Sequence, residues 1–399
     1  MFVFLRNITT RWCTMAIFIV VLFCIRYIPL ESRAGPSDIK TGVSFLCLLF
    51  LILRTRYISK ALVFSAMYYV VVLSLCLFHP ITFRWSTMLY LLSFIIVYIT
   101  YYNLVVVHHV IDYKVFVKVL IGLIYAYTFC LIVQQGLILI GVREFPLLNL
   151  TQFLNRGIGA NSLSGEPSSS ARIMAVLYLA LIRMAEIKYN RKIKVKEMWY
   201  VYKLPTIAFL WSMFTMGSAT AMIGIVLLSL YFIDMRHLSV AIVIFCTFMV
   251  AAPHIDYKPV QRVHAVVTAI FTGDKETVFK ADDSAASRVI PIMNFFALDF
   301  ADSTTWFGKG IDYSDKISSK HHERVYARVL GNINEYGLIS YIFLLLLVYS
   351  CMIYRLFSLE TLFLVFLFSG TLGNVPYGWG AMMIFTTIRY FQEDNYWVN

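Results

Sequence analysis

Apolar residues fall along this chain in runs rather than in narrow stripes. The runs cover 12–29, 39–53, 61–79, 85–107, 115–140, 170–186, 204–216, 218–234, 238–252, 332–350, 359–372 and 377–391. A helix that crosses a bilayer needs about 20 mostly apolar residues, fewer where the bilayer thins or the helix is broken. The pattern therefore predicts about twelve spans, several of them short. Leu204 to Asp234, read as one helix rising about 1.5 Å per residue, would be far longer than the hydrocarbon is thick. The MGSAT stretch at 216–220 supplies small residues for a break, so two short helices are expected there.

That break fixes the orientation of everything after it. With the N-terminus inside, Arg54, Arg56 and Lys60, then Lys114 and Lys118, then the basic 187–203 loop with KYNRKIKVKEMWYVYK all fall in the cytoplasm, as the positive-inside rule requires. The 141–169 and 253–331 loops then lie outside. In the second, ADDSAASRVIPIMNFFAL places Val289, Ile292 and Phe296 at helical spacing after an Asp/Ser cap signal, which predicts a helix along the outer interface. The first run has the basic flank of a leader in Arg6 and Arg11 but lacks a small-residue cleavage site, so a retained first helix is expected.

Composition agrees. Hydrophobic residues make up 60% and charged residues 14% of the chain, whereas a soluble fold needs roughly a quarter charged. The fold class is all-α, a polytopic integral membrane helical bundle forming one transmembrane domain over residues 1–399. The net charge of +12 reads as orientation and lipid-surface charge, with membrane lipids as partners and no nucleic acid. All seven cysteines sit in apolar runs without a CxxC pair, as buried free thiols would.

Three polar clusters share the outer side. In NSLSGEPSSSARIMAVLYLALI, Pro167 suits the first turn of a helix and the following serines can satisfy exposed amides. That helix would present its positive N-terminus outward, with Arg172 one turn in, Glu166 before it and Arg156 just upstream. An anion with several oxygens suits such a place; a structural bridge from Glu166 to Arg156 or Arg172 is the plainer reading. The second cluster is Arg288, either a site residue or an arginine reaching for lipid head groups. The third is KHHERVYARVLGNINEYGLISYI at 320–342, which as one helix puts His321, Arg324, Arg328 and Glu335 on a single face. Such a face can join a proton acceptor to anion clamps, or be a solvated first turn whose charges are mere neighbours.

Other chemistries lack their residues. There is no P-loop, GxGxxG, HExxH or GxSxG, and Asp282-Asp283 reads as a helix cap rather than a metal pair.

The order EPSSSA before a span, a basic loop, MGSAT, SRVIPIMNFFALDFADSTTWFGKGIDY in the large loop, then NINEYGLISYIFLL resembles the O-antigen polymerase and O-antigen ligase superfamily over most of residues 150–350. Where ligases carry a His-Asn pair ahead of the E-x-G-L step, this chain has Tyr326-Ala327, which points to a polymerase. The resemblance implies a GT-C-like glycosyltransferase of the bacterial inner membrane, active on the periplasmic face. It implies undecaprenyl-diphosphate-linked oligosaccharides as substrates, no cofactor and no metal, and a polysaccharide chain-length regulator as a partner. Glu166, Arg172, Arg288 and Arg328 would then be catalytic, and Arg156, His321, Arg324 and Glu335 would bind substrate. A flippase for lipid-linked oligosaccharides, the competing reading alongside a ligase, should show two similar halves and have no use for the large outer loop.

Overall fold

The fold is seen in a computed structural model that describes residues 2–25, 38–54, 57–142, 144–145, 148, 150–151, 157–233, 274–281, 283–311, 313, 320–368 and 375–393, with scattered positions between 243 and 268. The described residues are 79% helical with almost no strand among them. Every apolar run except 238–252, which lies largely outside the described residues, coincides with a helix. They are α1 (Phe2–Cys24), α2 (Asp38–Arg54), α3 (Lys60–Leu77), α4 (Trp85–Tyr102), α5 (Tyr113–Leu139), α6 (Pro167–Tyr189), a short α7 (Val195–Val201), α8 (Lys203–Thr215) and α9 (Ala219–Phe232). The 253–331 region adds α10 (Lys275–Ala281), α11 (Asp283–Phe296), α12 (Ser303–Phe307) and α13 (His321–Ala327), followed by α14 (Ile333–Cys351), α15 (Leu359–Phe368) and α16 (Pro376–Glu393).

Helices 60–77, 85–107, 113–139 and 330–351 are long and apolar enough to cross a membrane. Two others form the centre. From Ile173 to Leu181, α6 is buried on all sides, and α16 is buried throughout Tyr377–Ile388. A helix apolar all round must be enclosed by others. Here α6 packs against α5, α8, α9 and α16, and α16 against α1 and α4. The peripheral helices leave large apolar side chains outside, among them Leu53, Val70 and Phe129, as a lipid-facing surface would. Hydroxyl pairs tie the helices internally: Tyr98 to Thr386 at 3.1 Å, Tyr101 to Thr387 at 2.7 Å and Tyr178 to Thr206 at 2.9 Å. Small polar side chains that satisfy each other can hold helices together where the surroundings are as apolar as the side chains.

Specific contacts mark the two ends of the bundle. At one end Tyr113 donates to the Met184 carbonyl at 2.7 Å, Arg183 to Glu360 at 2.7 Å and Arg389 to the Tyr349 carbonyl at 2.7 Å. At the other, Arg172 meets Tyr377, Gly380 presses on the Phe23–Cys24 backbone, and Ser162 donates to the Tyr127 carbonyl at 2.6 Å. These are called the Arg183 end and the Pro167 end.

The break at MGSAT is present and it reverses the chain. Thr128 to Ser212 at 2.8 Å and Gln135 to Thr215 at 2.8 Å set α8 parallel to α5. Gly217, at φ +68°, turns the backbone, and α9 returns until Tyr231 accepts from the Ile193 amide at 2.9 Å. Gly takes this left-handed conformation at little steric cost. The basic loop is part of the fold: Asn190 ends α6 in the left-handed region, and Arg191 is bound bidentately by Glu197 at 2.7 and 2.9 Å. Those bonds and the Lys194 amide hold the Glu197 carboxyl down at about 2.

One sequence expectation is corrected here. Cys246 is exposed and Cys13 partly so, while Cys24, Cys47, Cys76, Cys130 and Cys351 are buried. The expected helix forms as α11, and its Val289, Ile292 and Phe296 stripe stays partly or largely exposed, Phe296 at 83%. The apolar residues Ala286 and Ile290 are buried and join Val278 of α10 and Val325 of α13 in a small core separate from that of the bundle.

Candidate functional site at the Pro167 end

The first part of the site is the start of α6. Glu166 is extended at φ −145° and ψ 146°, and Pro167 follows at the first helical position, where its missing N–H costs nothing. The serines behave differently from expectation. Ser168 donates to the Glu166 carboxylate at 3.3 Å, and Ser170 to the Asn161 carbonyl at 2.5 Å, so they anchor the preceding loop instead of capping helix amides. Ser164 completes the knot, bonded to Ser170 at 2.8 Å and to the Glu166 carbonyl at 2.6 Å.

Glu166 is exposed, and no bridge joins it to Arg172. Arg172 instead donates Nη1 to the Tyr377 hydroxyl at 2.6 Å, across to the first turn of α16. Its Nε is buried and has no hydrogen-bond partner among the described residues. A buried N–H without an acceptor is rare in folded proteins, and a ligand, ion or water can supply one. Arg156 lies outside the described residues.

The second part is the pair α11 and α13. Arg288 is 8% exposed. It is therefore enclosed between helices and does not reach out toward lipid. Asn294 of α11 donates to the Tyr326 carbonyl at 2.8 Å and the Arg328 carbonyl at 2.7 Å, which fixes where the chain leaves α13. Arg324 is half-buried on α13, and its Nε has no hydrogen-bond partner among the described residues. His321 opens α13.

The 320–342 segment is not one helix, and the single face of His321, Arg324, Arg328 and Glu335 does not form. Arg328 is extended at φ −72° and ψ 141°. Gly331 and Asn332 then take left-handed angles of φ +66° and +56°, and Gly337 inside α14 lies at φ +79° and ψ 159°. Each change of backbone hand redirects the chain, so spacing along an ideal helix no longer says which residues are neighbours.

Gly337 has a further consequence. In an unbroken helix the carbonyls of Asn334 and Glu335 would accept from later amides of the same helix. The kink frees them. The Lys309 amide donates to the Asn334 carbonyl at 2.9 Å and the Gly310 amide to the Glu335 carbonyl at 3.1 Å. Gly308 and Gly337 face each other so closely that a Cβ on either would strike the opposite backbone. The G-K-G at 308–310 and the E-x-G-L at the start of α14 are thus one backbone unit. Asp302 seats it from the other side, capping α12 through the Thr304 amide at 2.9 Å and hydroxyl at 2.5 Å, bonds that hold its carboxyl below the usual carboxylate range.

Because Tyr349 near the end of α14 is at the Arg183 end, the start of α14 and its attached loop are at the Pro167 end. Asn334 donates to the Ala327 carbonyl at 2.9 Å, which brings the end of α13 there too. The clusters around Arg172, around Arg288, Arg324 and Arg328, and around Glu335 therefore share one end of the bundle. Sequence reasoning missed Tyr377, Asn294 and Asn334, whose partners are remote in the chain. The left-handed glycines carried a signal that went unused, since Gly is the residue such angles select.

Among the described residues no three His, Cys, Asp or Glu side chains converge as metal ligands would. No protein-family model, curated protein or solved structure matches the chain.

Proposed function

We propose that the chain is a polysaccharide polymerase of the bacterial inner membrane that joins undecaprenyl-diphosphate-linked oligosaccharide repeats by glycosyl transfer at the Pro167 end, facing the periplasm. One observation carries the reading: the half-buried Arg172 at the start of α6, anchored through Nη1 while its buried Nε–H has no acceptor among the described residues. The superfamily resemblance in the 150–350 region supports it, as does the joining of two of its motifs, G-K-G and E-x-G-L, through main-chain bonds.

In this reaction the acceptor hydroxyl oxygen bonds to the anomeric carbon while that carbon's bond to the diphosphate breaks. The diphosphate leaves with the electron pair, and the hydroxyl proton passes to a base. Arg172, Arg288 and Arg328 stabilise the leaving charge, because a guanidinium matches phosphate oxygens with parallel N–H donors and stays ionised at a membrane surface. Arg324 and Glu335 bind sugar or phosphate. Glu166, exposed at the start of α6, accepts the proton. A chain-length regulator would engage the same assembly from the periplasmic side.

The test is chain extension in vitro by the purified protein on lipid-diphosphate-linked repeat units. Arg288→Ala and Arg328→Ala should each reduce extension about 10- to 100-fold, with Lys replacements recovering little because they lose the fork. Melting should be followed in parallel: parallel loss of activity and stability would mark these arginines as structural. A wild type unable to extend any lipid-diphosphate-linked oligosaccharide would sink the proposal. Extension should also persist in EDTA, since the arginines supply the positive charge; loss that one divalent ion restores would refute the arginine-only scheme.

A further inference from the structure

The Arg183 end holds a cleft that glycosyl transfer at the Pro167 end does not use. It encloses about 370 Å³ among the ends of α6, α14, α15 and α16. Arg183, Arg191, Arg355 and Arg389 line it, against Glu186 and Glu360.

These guanidiniums are unequal. Arg183 is occupied by acid, with Nε and Nη2 on Glu360 at 2.7 and 3.1 Å and Nη1 on Glu186 at 2.6 Å. Arg191 is held by Glu197. Arg389 gives Nε to Glu393 at 2.8 Å and Nη1 to the Tyr349 and Ile353 carbonyls, while its Nη2 has no bond among the described residues. The Arg355 guanidinium has no carboxylate partner among the described residues and lies over the Tyr354 ring, 5.6 Å from its centroid. Arg389 lies against the same ring at 5.9 Å. One aromatic ring thus gathers two like charges, and Glu393 offsets only one of them. An oxyanion in the cleft that both line meets two guanidiniums, of which only Arg389 is bonded to a carboxylate.

A second observation says where such an anion would come from. Arg355 sits in a turn whose other side chains are apolar and exposed: Tyr354 at 52%, Leu356 at 55% and Phe357 at 96%. In water these are unfavourable. At the end of a bundle with helices long enough to cross a membrane, such side chains suit the level where headgroups give way to acyl chains. Lys188, Lys192, Lys194 and Lys196 surround the same end with positive charge, which draws anionic lipid.

We propose that this cleft binds an anionic phospholipid, with its phosphate held by Arg355 and Arg389 and its acyl chains lying along Leu356 and Phe357. The proposal rests on the membrane placement of the bundle and is independent of any activity at the other end. The test uses the full-length protein, delipidated in detergent, in native mass spectrometry with phosphatidylglycerol or phosphatidylcholine at equal concentration. Phosphatidylglycerol should be retained in preference. Arg355→Ala should weaken its binding about tenfold without changing the melting temperature, since Arg355 is exposed and carries no ion pair. Phe357→Ser should weaken it as well. Equal retention of the two lipids by the wild type, or unchanged phosphatidylglycerol affinity in Arg355→Ala, would overturn the proposal. A free-phosphate site would also overturn it, and would appear as thermal stabilisation by inorganic phosphate equal to that by phosphatidylglycerol, with Phe357→Ser neutral.

Discussion

Replacing Arg172 with alanine is expected to lower chain extension about 100- to 1000-fold, the range seen when one preorganised donor to a developing oxyanion is removed. The size follows from how the side chain is held. Its Nη1 is fixed by the Tyr377 hydroxyl at 2.6 Å, so the guanidinium plane is set before substrate arrives, and the positive end of α6 points the same way. Stability should change little. The folded protein loses one hydrogen bond, worth about 1 kcal/mol, and sheds a buried N–H that had no partner. Lysine at this position keeps the charge but cannot offer two parallel donors, so it should recover only a small part of the loss. Tyr377→Phe should fall between the two, because the guanidinium stays while its anchor goes. The measurement is initial rate on lipid-diphosphate-linked repeats beside a thermal melt of each purified variant. Full activity in Arg172→Ala would remove the residue from the site. A melt that collapses together with the rate would recast the Arg172–Tyr377 contact as a tie between α6 and α16.

Gly337→Ala is expected to destabilise the protein by about 2–5 kcal/mol, through a backbone conformation that L-residues avoid and a clash with neighbouring main chain. At φ +79° and ψ 159° an alanine is strained even in open space. Here the space is also closed, since the added Cβ would press on the Trp306 carbonyl and on the Gly308 amide. The flexible end of a side chain can move aside, but main chain on both sides of a close approach cannot. Gly308→Ala should act through the same contact from the opposite strand of chain, with its Cβ against the Glu335 carbonyl. The double variant should therefore cost less than the sum of the two, as coupled neighbours do. Thermal unfolding of the two single variants and the double variant measures this. A wild-type melt for Gly337→Ala would show that the G-K-G loop does not approach α14 as described.

How much of this was legible beforehand depends on the range of the interaction. Apolar runs give their helices directly, because a chain that cannot satisfy backbone groups with water must bond them internally, and a helix does so within the run itself. The reversal at MGSAT and the start of α6 at Pro167 were legible for the same reason, since small residues and a proline act on the backbone at their own positions. The 320–342 segment was misread because helical spacing was applied across Gly331, Asn332 and Gly337, where the backbone changes hand. On α11 the helix was legible, whereas its contact with α10 and α13 through Ala286 and Ile290 depends on helices that the local pattern does not name.

The sequence by itself determined an all-helical apolar chain, its helix starts and breaks, and the residue types gathered outside those helices, all set by contacts within a few residues. The tertiary structure alone decided that Arg172 lies on Tyr377, 205 positions away, and that Gly308 meets Gly337. It also decided that Arg288 is buried and that Arg355 and Arg389 share one ring. Such pairings depend on which helices pack together, and packing is selected by the fit of whole surfaces, which no single stretch of sequence contains.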